Sequence, residues 1–160
     1  MHVLLCRIDD VTYAVRIADV EKVVRAAAVV PVPGAPDVVM GLLDLRGSPV
    51  VVLDARRRFG HESRPLVPSD RFVVARAAGR RIALRVDAAE SIVTLDEAAV
   101  DDPRRHAVGA RHVEGVVSLD DGLVFVHDVA RFLEATEADA LDAALTAHDG
   151  LSASRAAAAT

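Results

Sequence analysis

The sequence predicts an all-β protein, two small five-stranded β-barrels followed by a short C-terminal helix, and three observations carry that prediction. Val-rich runs of four to seven residues, separated by clusters of Gly, Pro, Asp and Arg, fill the first 133 positions. Runs of β-branched residues bounded by turn formers read as strands. Helical periodicity is largely missing before residue 134. The chain also repeats itself. Tyr13-Ala14-Val15-Arg16-Ile17 with Glu21 matches Ile82-Ala83-Leu84-Arg85-Val86 with Glu90 at an offset of 69. Gly41, Leu45, Val50, Val52 and Asp54 match Gly115, Leu119, Val124, Val126 and Asp128 at an offset of 74. Fixed offsets that persist across Gly and Asp as well as apolar positions mark a duplication, not shared composition.

Each half then reads as a hairpin, a third strand, a long variable loop, a strand opened by Gly, a turn, a last strand and Asp-x-x-Arg. In the first half the expected strands are 2–8, 12–17, 20–25, 38–45 and 50–53; in the second they are 71–76, 80–86, 90–95, 112–119 and 123–127. Asp9-Asp10, Ala78-Gly79 and Asp121-Gly122 supply hairpin turns, because Gly and Asp tolerate the backbone that such turns require. The Pro-rich stretch 31–36 has too few N–H donors for a central strand and must be a loop or an edge. Five strands per half suffice to curl into a barrel, which removes exposed sheet edges. The polar, Pro-containing segment 61–70 lies where the halves, about 1–62 and 70–133, meet, and it reads as a connection inside one 1–133 domain. After Leu133, Thr136 with Asp139 resembles a capping box, Leu141 and Leu145 are four apart, and Gly150 follows His148 as a stop. These predict a helix of about three turns within 134–150, and a flexible tail over 151–160.

Composition narrows the function. The chain has 160 residues, 52% of them hydrophobic, enough to bury a core without disulfide or metal. Its net charge of −5 and five aromatics argue against nucleic acid, which demands cations for phosphates and rings for bases. The acidity is uneven: residues 134–160 carry five acids and one Arg, which leaves the body near neutral. The single Cys6 fits a reducing compartment, no apolar run reaches spanning length, and the start turns acidic at Asp9-Asp10 before a signal core forms. The expectation is a soluble cytoplasmic protein with no membrane insertion.

No catalytic apparatus is legible. His127-Asp128 is tempting as a pair, yet its counterpart in the repeat is Leu53-Asp54, and neighbours on a strand face opposite ways, so His127 reads as structural. The repeated Asp-x-x-Arg reads as a local turn device, the carboxylate accepting backbone N–H bonds with Arg nearby. His112 and Glu114 alternate onto one strand face but lack a third ligand, and His61-Glu62 is equally incomplete. A small metal-dependent hydrolase using His112, Glu114 and His127 is the remote alternative; no cofactor is called for. Ser48, Ser63, Ser69, Ser91 and Ser118 lack a nucleophile elbow, and Gly41-x5-Gly47 lacks the Lys-Ser/Thr of a phosphate loop. Arg56-Arg57-Arg58 reads as a solvated basic face. What stands out is Arg46-Gly47 at a turn, beside a seam between half-domains where a partner helix can lie. Arg46 there either fixes a partner's register by bidentate bonding or pairs locally with Asp44 or Asp54.

Taken in order, the motifs resemble the CheW family, the coupling proteins of bacterial chemosensory arrays. They are a Tyr-Ala-Val-x-Ile strand, Val20-x-x-Val23-x-Arg25, Val32-Pro33-x-x-Pro36-x-x-Val39-x-Gly41-x-x-x-Leu45-Arg46-Gly47, Val52-Leu53-Asp54-x-Arg56 and Phe59-Gly60. In the second half follow Leu84-x-Val86-Asp87-x-x-x-x-Ile92, Val113-x-Gly115-Val116, Leu119-Asp120-Asp121-x-Leu123-Val124 and His127-Asp128. The resemblance covers about residues 2–133. It implies two pseudo-duplicated five-stranded SH3-like β-barrels and a non-enzymatic adaptor that binds the cytoplasmic tip of a methyl-accepting chemoreceptor and the regulatory domain of a CheA-type histidine kinase. By resemblance, Asp44, Arg46 and Gly47 belong to the receptor site and Val20, Lys22 and Val23 to the kinase site. A CheW-like protein of a non-motility pathway, or one binding a single partner, is the near alternative. The chain departs from the family pattern at Lys22, where Glu is usual, at Asp44 in place of Asn, and at Pro49, where the Pro is displaced.

Overall fold

The computed structural model describes residues 1–77, 79–106 and 113–158, with side chains as far as residue 147. In chain order the elements are β1 (His2–Ile8), β2 (Val11–Arg16), β3 (Val20–Arg25), β4 (Val39–Leu45), β5 (Ser48–Asp54), α1 (Ala55–Arg58), β6 (Arg71–Ala77), β7 (Arg80–Val86), β8 (Ala88–Thr94), β9 (Val113–Leu119), β10 (Gly122–His127) and α2 (Ala135–Ala158), with short 3-10 turns between some of them. Every predicted strand is present, with ends that differ by at most two residues. Two positions assigned from the sequence, Ala78 in a turn and His112 at a strand start, lie outside the described residues.

The strands form two five-stranded sheets, ordered β8-β1-β2-β10-β9 (sheet A) and β3-β6-β7-β5-β4 (sheet B). The two orders are identical once each strand is replaced by its repeat counterpart, so the duplication is built into the topology. The halves of the sequence are not, however, the halves of the molecule. Hairpin β1–β2 sits in the sheet whose other strands come from the second repeat, and β6–β7 sits in the sheet of the first. The parallel pairs β2–β10 and β5–β7 make this exchange. Sequence cannot reveal it, because each repeat offers a hairpin the same partner strand. This corrects the expectation that 1–62 and 70–133 each form their own barrel: the two sheets are intertwined.

Each sheet curls until the segment beyond its outer strand reaches the opposite edge. Val30 pairs with Leu42 in sheet B and Asp101 pairs with Val116 in sheet A, each through two N–H···O bonds of 2.8–3.0 Å. These closures explain the repeated glycines. A Cβ at Gly41 would overlap the carbonyl oxygen of Val30, and Gly41 has a φ of +151° that side chains rarely adopt; a Cβ at Gly115 would overlap only Cγ1 of Val100. Backbone cannot yield as a side-chain tip can. Gly41→Ala is therefore expected to destabilise the fold by about 2–4 kcal/mol and Gly115→Ala by about 1 kcal/mol, read as a shift in the urea midpoint by circular dichroism. Equal losses would contradict this account of the closure.

Three apolar clusters follow. Leu4, Cys6, Ile8 and Val15 of sheet A meet Val51, Leu53, Val73, Ile82 and Leu84 of sheet B in a shared core. Val3, Ala14, Val117, Val124 and Val126 fill the curl of sheet A, and Leu43, Val50, Val52, Phe72 and Val74 that of sheet B. Successive residues of β5 thus serve different clusters, Val50 and Val52 inward and Val51 and Leu53 toward the other sheet. Strands buried on both faces need continuous apolar runs instead of alternation, and that is the origin of the Val excess. His127 lies within the shared core, with ring centroids 4.2 Å from Phe59 and 5.3 Å from Tyr13.

A chain of guanidinium–carboxylate contacts ties the 61–70 connection down. Arg85, 1% exposed, pairs with Asp70 at 3.1 Å and Asp54 at 3.5 Å, and donates to the carbonyls of Arg64 and Pro65. Arg64 pairs with both Asp70 and Asp87; Arg56 pairs with both Asp87 and Asp9. His61 ends the chain, Nδ1 at 3.0 Å from Asp9 and Nε2 at 2.6 Å from the Tyr13 hydroxyl. The basic run is therefore not a solvated face. Arg56 is 3% exposed in this network and Arg58 pairs with Glu137, so of the three Arg57 alone presents a largely exposed side chain. Apolar context on both sides of the run, with an Asp surplus nearby in space, is what sequence distance hid.

Burial by itself pushes the Asp70 carboxyl up, but hydrogen bonds from Arg64 and the Val67 N–H, with the charges of Arg85 and Arg64, outweigh it and hold the group below its ordinary value. A carboxylate depressed in the folded state contributes stability above its unfolded pKa of about 3.9 and loses it as pH falls through the folded value. The urea midpoint is expected to stay flat from about pH 7 to pH 5 and to drop below about pH 4, with a shallower drop in Asp70→Asn. A midpoint that rises on acidification would contradict the pairing.

Helix α2 begins earlier and ends later than its sequence signals. The Glu134 N–H donates to the Glu137 carboxylate at 2.9 Å, the half of a capping box in which the third helical residue reaches back. The cap is thus Glu134, two residues before Thr136. Leu141 and Ala144 are buried against the body, and Glu137 with Arg58 and Asp142 with Arg80 pin the flanks. Gly150 does not stop it: the helix continues to Ala158, past the expected end at 150 and into the stretch expected to be a tail. A helical Gly costs about 1 kcal/mol relative to Ala, and the Ala-rich stretch beyond it favours continuation.

Candidate functional site

Residues 44–47 form the tip of the β4–β5 hairpin. Leu45 faces Ser48 across the ladder, so Arg46 and Gly47 are the two turn residues, with φ of +53° and +82°. Two positive φ values define the mirror-image turn that matches strand twist, usually Asn-Gly or Asp-Gly. Arg at the first position is strained, since a non-Gly residue rarely occupies the left-handed region. Asp44 does not hold Arg46; its Oδ1 accepts the Gly47 N–H at 2.7 Å. Asp54 is also engaged, accepting from the Arg56 N–H and pairing with Arg85. The local-pairing alternative for Arg46 is thereby resolved: among the described residues its exposed guanidinium makes no ion pair.

Val20, Lys22 and Val23 lie on β3, the strand that ends sheet B on the side opposite β4. The ladder to β6 slips between Val20, opposite Ala75, and Lys22, opposite Val74, which leaves Glu21 as the extra residue of a bulge. Val23 is 39% exposed. The structure therefore gathers Asp44, Arg46 and Gly47 at one tip and Val20, Lys22 and Val23 on one edge, with β6 and β7 between that edge and the β4–β5 hairpin in the sheet. A groove of about 320 Å³ lined by Leu5, Val11, Leu123 and Phe125 opens on sheet A, and none of these six residues lines it.

The other candidates do not assemble. Glu114 is bound to Arg16, His127 is buried among aromatic rings, and His112 lies outside the described residues. Among the described residues no three His, Cys, Asp or Glu side chains gather as metal ligands. Asp54 and Asp128 accept the N–H two residues on, as the repeated Asp-x-x-Arg suggests; Arg131 approaches Asp128 at 3.6 Å, whereas Arg57 turns to Asp37. No helix among the described residues is long and apolar enough to cross a membrane.

This architecture has known counterparts. A scaffolding protein, TtCheW from Thermoanaerobacter tengcongensis, superposes with a TM-score of 0.76 at 24% identity, over 85% of this chain and 89% of that one. A chemotaxis protein CheW of Rhizobium meliloti is 28% identical over 117 residues, 68% of this chain and 76% of the relative. One from Treponema pallidum is 23% identical over 131 residues, 78% of this chain and 77% of the relative. A family model described as the CheW-like domain matches residues 2–137. With that match spanning all ten strands, the chain belongs to the CheW family, the adaptor and scaffold proteins of chemotaxis.

Proposed function

We propose that this protein is a non-enzymatic cytoplasmic adaptor that couples the cytoplasmic tip of methyl-accepting chemoreceptors to the regulatory domain of a CheA-type histidine kinase. The observation that carries the reading is Arg46, a cation without an ion pair among the described residues and kept in a strained turn, whereas the buried Arg56 and Arg85 are tied to carboxylates. Strain that the fold does not need for its own contacts points to a role in binding. Arg46, Gly47 and Asp44 then form the receptor contact, with Asp44 fixing the turn. Val20, Lys22 and Val23 form the kinase contact, and the two surfaces share no residue.

Sedimenting the protein separately with receptor-bearing membranes and with the kinase of its own organism tests this. Binding to each is expected. Failure to bind either would contradict the reading.

A further inference from the structure

We propose that the β3 edge is a docking strip for an acidic extended segment of the partner protein, which makes the kinase surface that meets it negatively charged. The inference rests on the adaptor reading above.

Among the described residues β3 has a hydrogen-bonded neighbour strand on one side, β6, so its outer N–H and C=O groups are available to a further strand. Cations predominate around it. Lys22 and Arg25 are exposed on β3 itself, and neither makes an ion pair among the described residues. Arg25 stands directly opposite Arg71 in the ladder to β6, and Arg76 stands directly opposite Arg81 in the ladder to β7. The nearby carboxylate, Glu21, is already divided between two cations, Oε1 at 3.1 Å from Arg76 and Oε2 at 2.9 Å from Arg81. Arg76 is still 68% exposed. Five cations, Lys22, Arg25, Arg71, Arg76 and Arg81, thus stand on and beside β3, two of them paired with Glu21, on a chain of net charge −5.

Like charges facing each other across a ladder destabilise a sheet. Glu21 bridges the Arg76–Arg81 pair and backbone carbonyls of 68–70 hold Arg71, but Arg25 opposite Arg71 has no carboxylate among the described residues, and an acidic partner supplies one. Val23, 39% exposed between Lys22 and the strand's end, supplies the apolar contact. An acidic strand laid beside β3 gains main-chain bonds from the edge and complementary charge from the strip. A basic one meets repulsion, which selects against it. The competing explanation is that Lys22 only guards an edge strand against aggregation.

The test is the affinity of the full chain for the purified regulatory domain of the organism's own kinase, at about 50 and about 300 mM salt. Wild type is expected to bind more weakly at the higher salt. Lys22→Glu and Arg25→Glu are each expected to weaken low-salt binding by about tenfold or more and to flatten the salt dependence, with Lys22→Ala between. Both side chains are exposed, and unchanged circular dichroism verifies the fold. Wild-type binding with unaltered or tighter binding by the two variants would overturn the acidic-partner inference and leave the adaptor reading standing. Absence of wild-type binding at either salt would overturn both.

Discussion

Asp70→Ala is expected to cost about 3–5 kcal/mol, a large part of the stability of a domain this size. Asp70 is fully buried and receives Arg64, Arg85 and the Val67 N–H. Removing it leaves the Arg85 guanidinium, itself 1% exposed, with Asp54 at 3.5 Å as its remaining carboxylate. A buried pair adds little over an apolar pair of the same shape, but breaking one strands a charge in low dielectric. The double replacement Asp70→Leu with Arg85→Leu is therefore expected to recover much of the loss, and chemical unfolding of the two single variants and the double measures the coupling. Equal and additive losses would show that the network is not a unit. Because the sheets exchange hairpins, the loss should appear as one cooperative transition and not as separate melting of two barrels.

Arg46→Glu is expected to weaken receptor binding by roughly 100-fold or more, as for a central Arg anchor whose charge is reversed, while kinase binding is kept. Its partner variant separates binding from folding. Arg46→Gly removes the side chain and also relieves the positive φ of +53°, so the fold should gain up to about 1 kcal/mol as receptor binding falls. Stability and binding would then move in opposite directions. A variant that loses both, or neither, would assign Arg46 to the fold.

How legible was this in the sequence? The strands were: β5, β6 and β7, largely buried on both faces, are written as nearly unbroken apolar runs, and the exposed β3 and β8 are placed by the repeat. Gly41 and Gly115, Asp54 and Asp128 were legible as repeats, and closure of each sheet now gives the glycines their reason. Residue chemistry also located the turn at Arg46-Gly47, though not that Asp44 would serve the turn and leave Arg46 unpaired. Long-range partnering was hidden. Arg56 finds Asp9 and Asp87, 47 and 31 residues away, and Arg85 finds Asp70; nothing in local composition separates these from surface arginines. The exchanged hairpins were hidden for a different reason, since two equivalent repeats present equivalent pairing partners. Gly150 misled because a breaker signal is weak against Ala-rich helix propensity.

The proposed adaptor joins two partners through separate surfaces, Arg46 at the β4–β5 tip and β3 at the far edge of the same sheet. Co-sedimentation of the kinase with receptor-bearing membranes, with and without this protein, tests it directly. The kinase should pellet only when the protein is present, with Arg46→Glu and Lys22→Glu each abolishing recovery by losing a different partner. Kinase that pellets equally without the protein, or recovery untouched by both variants, would contradict the account.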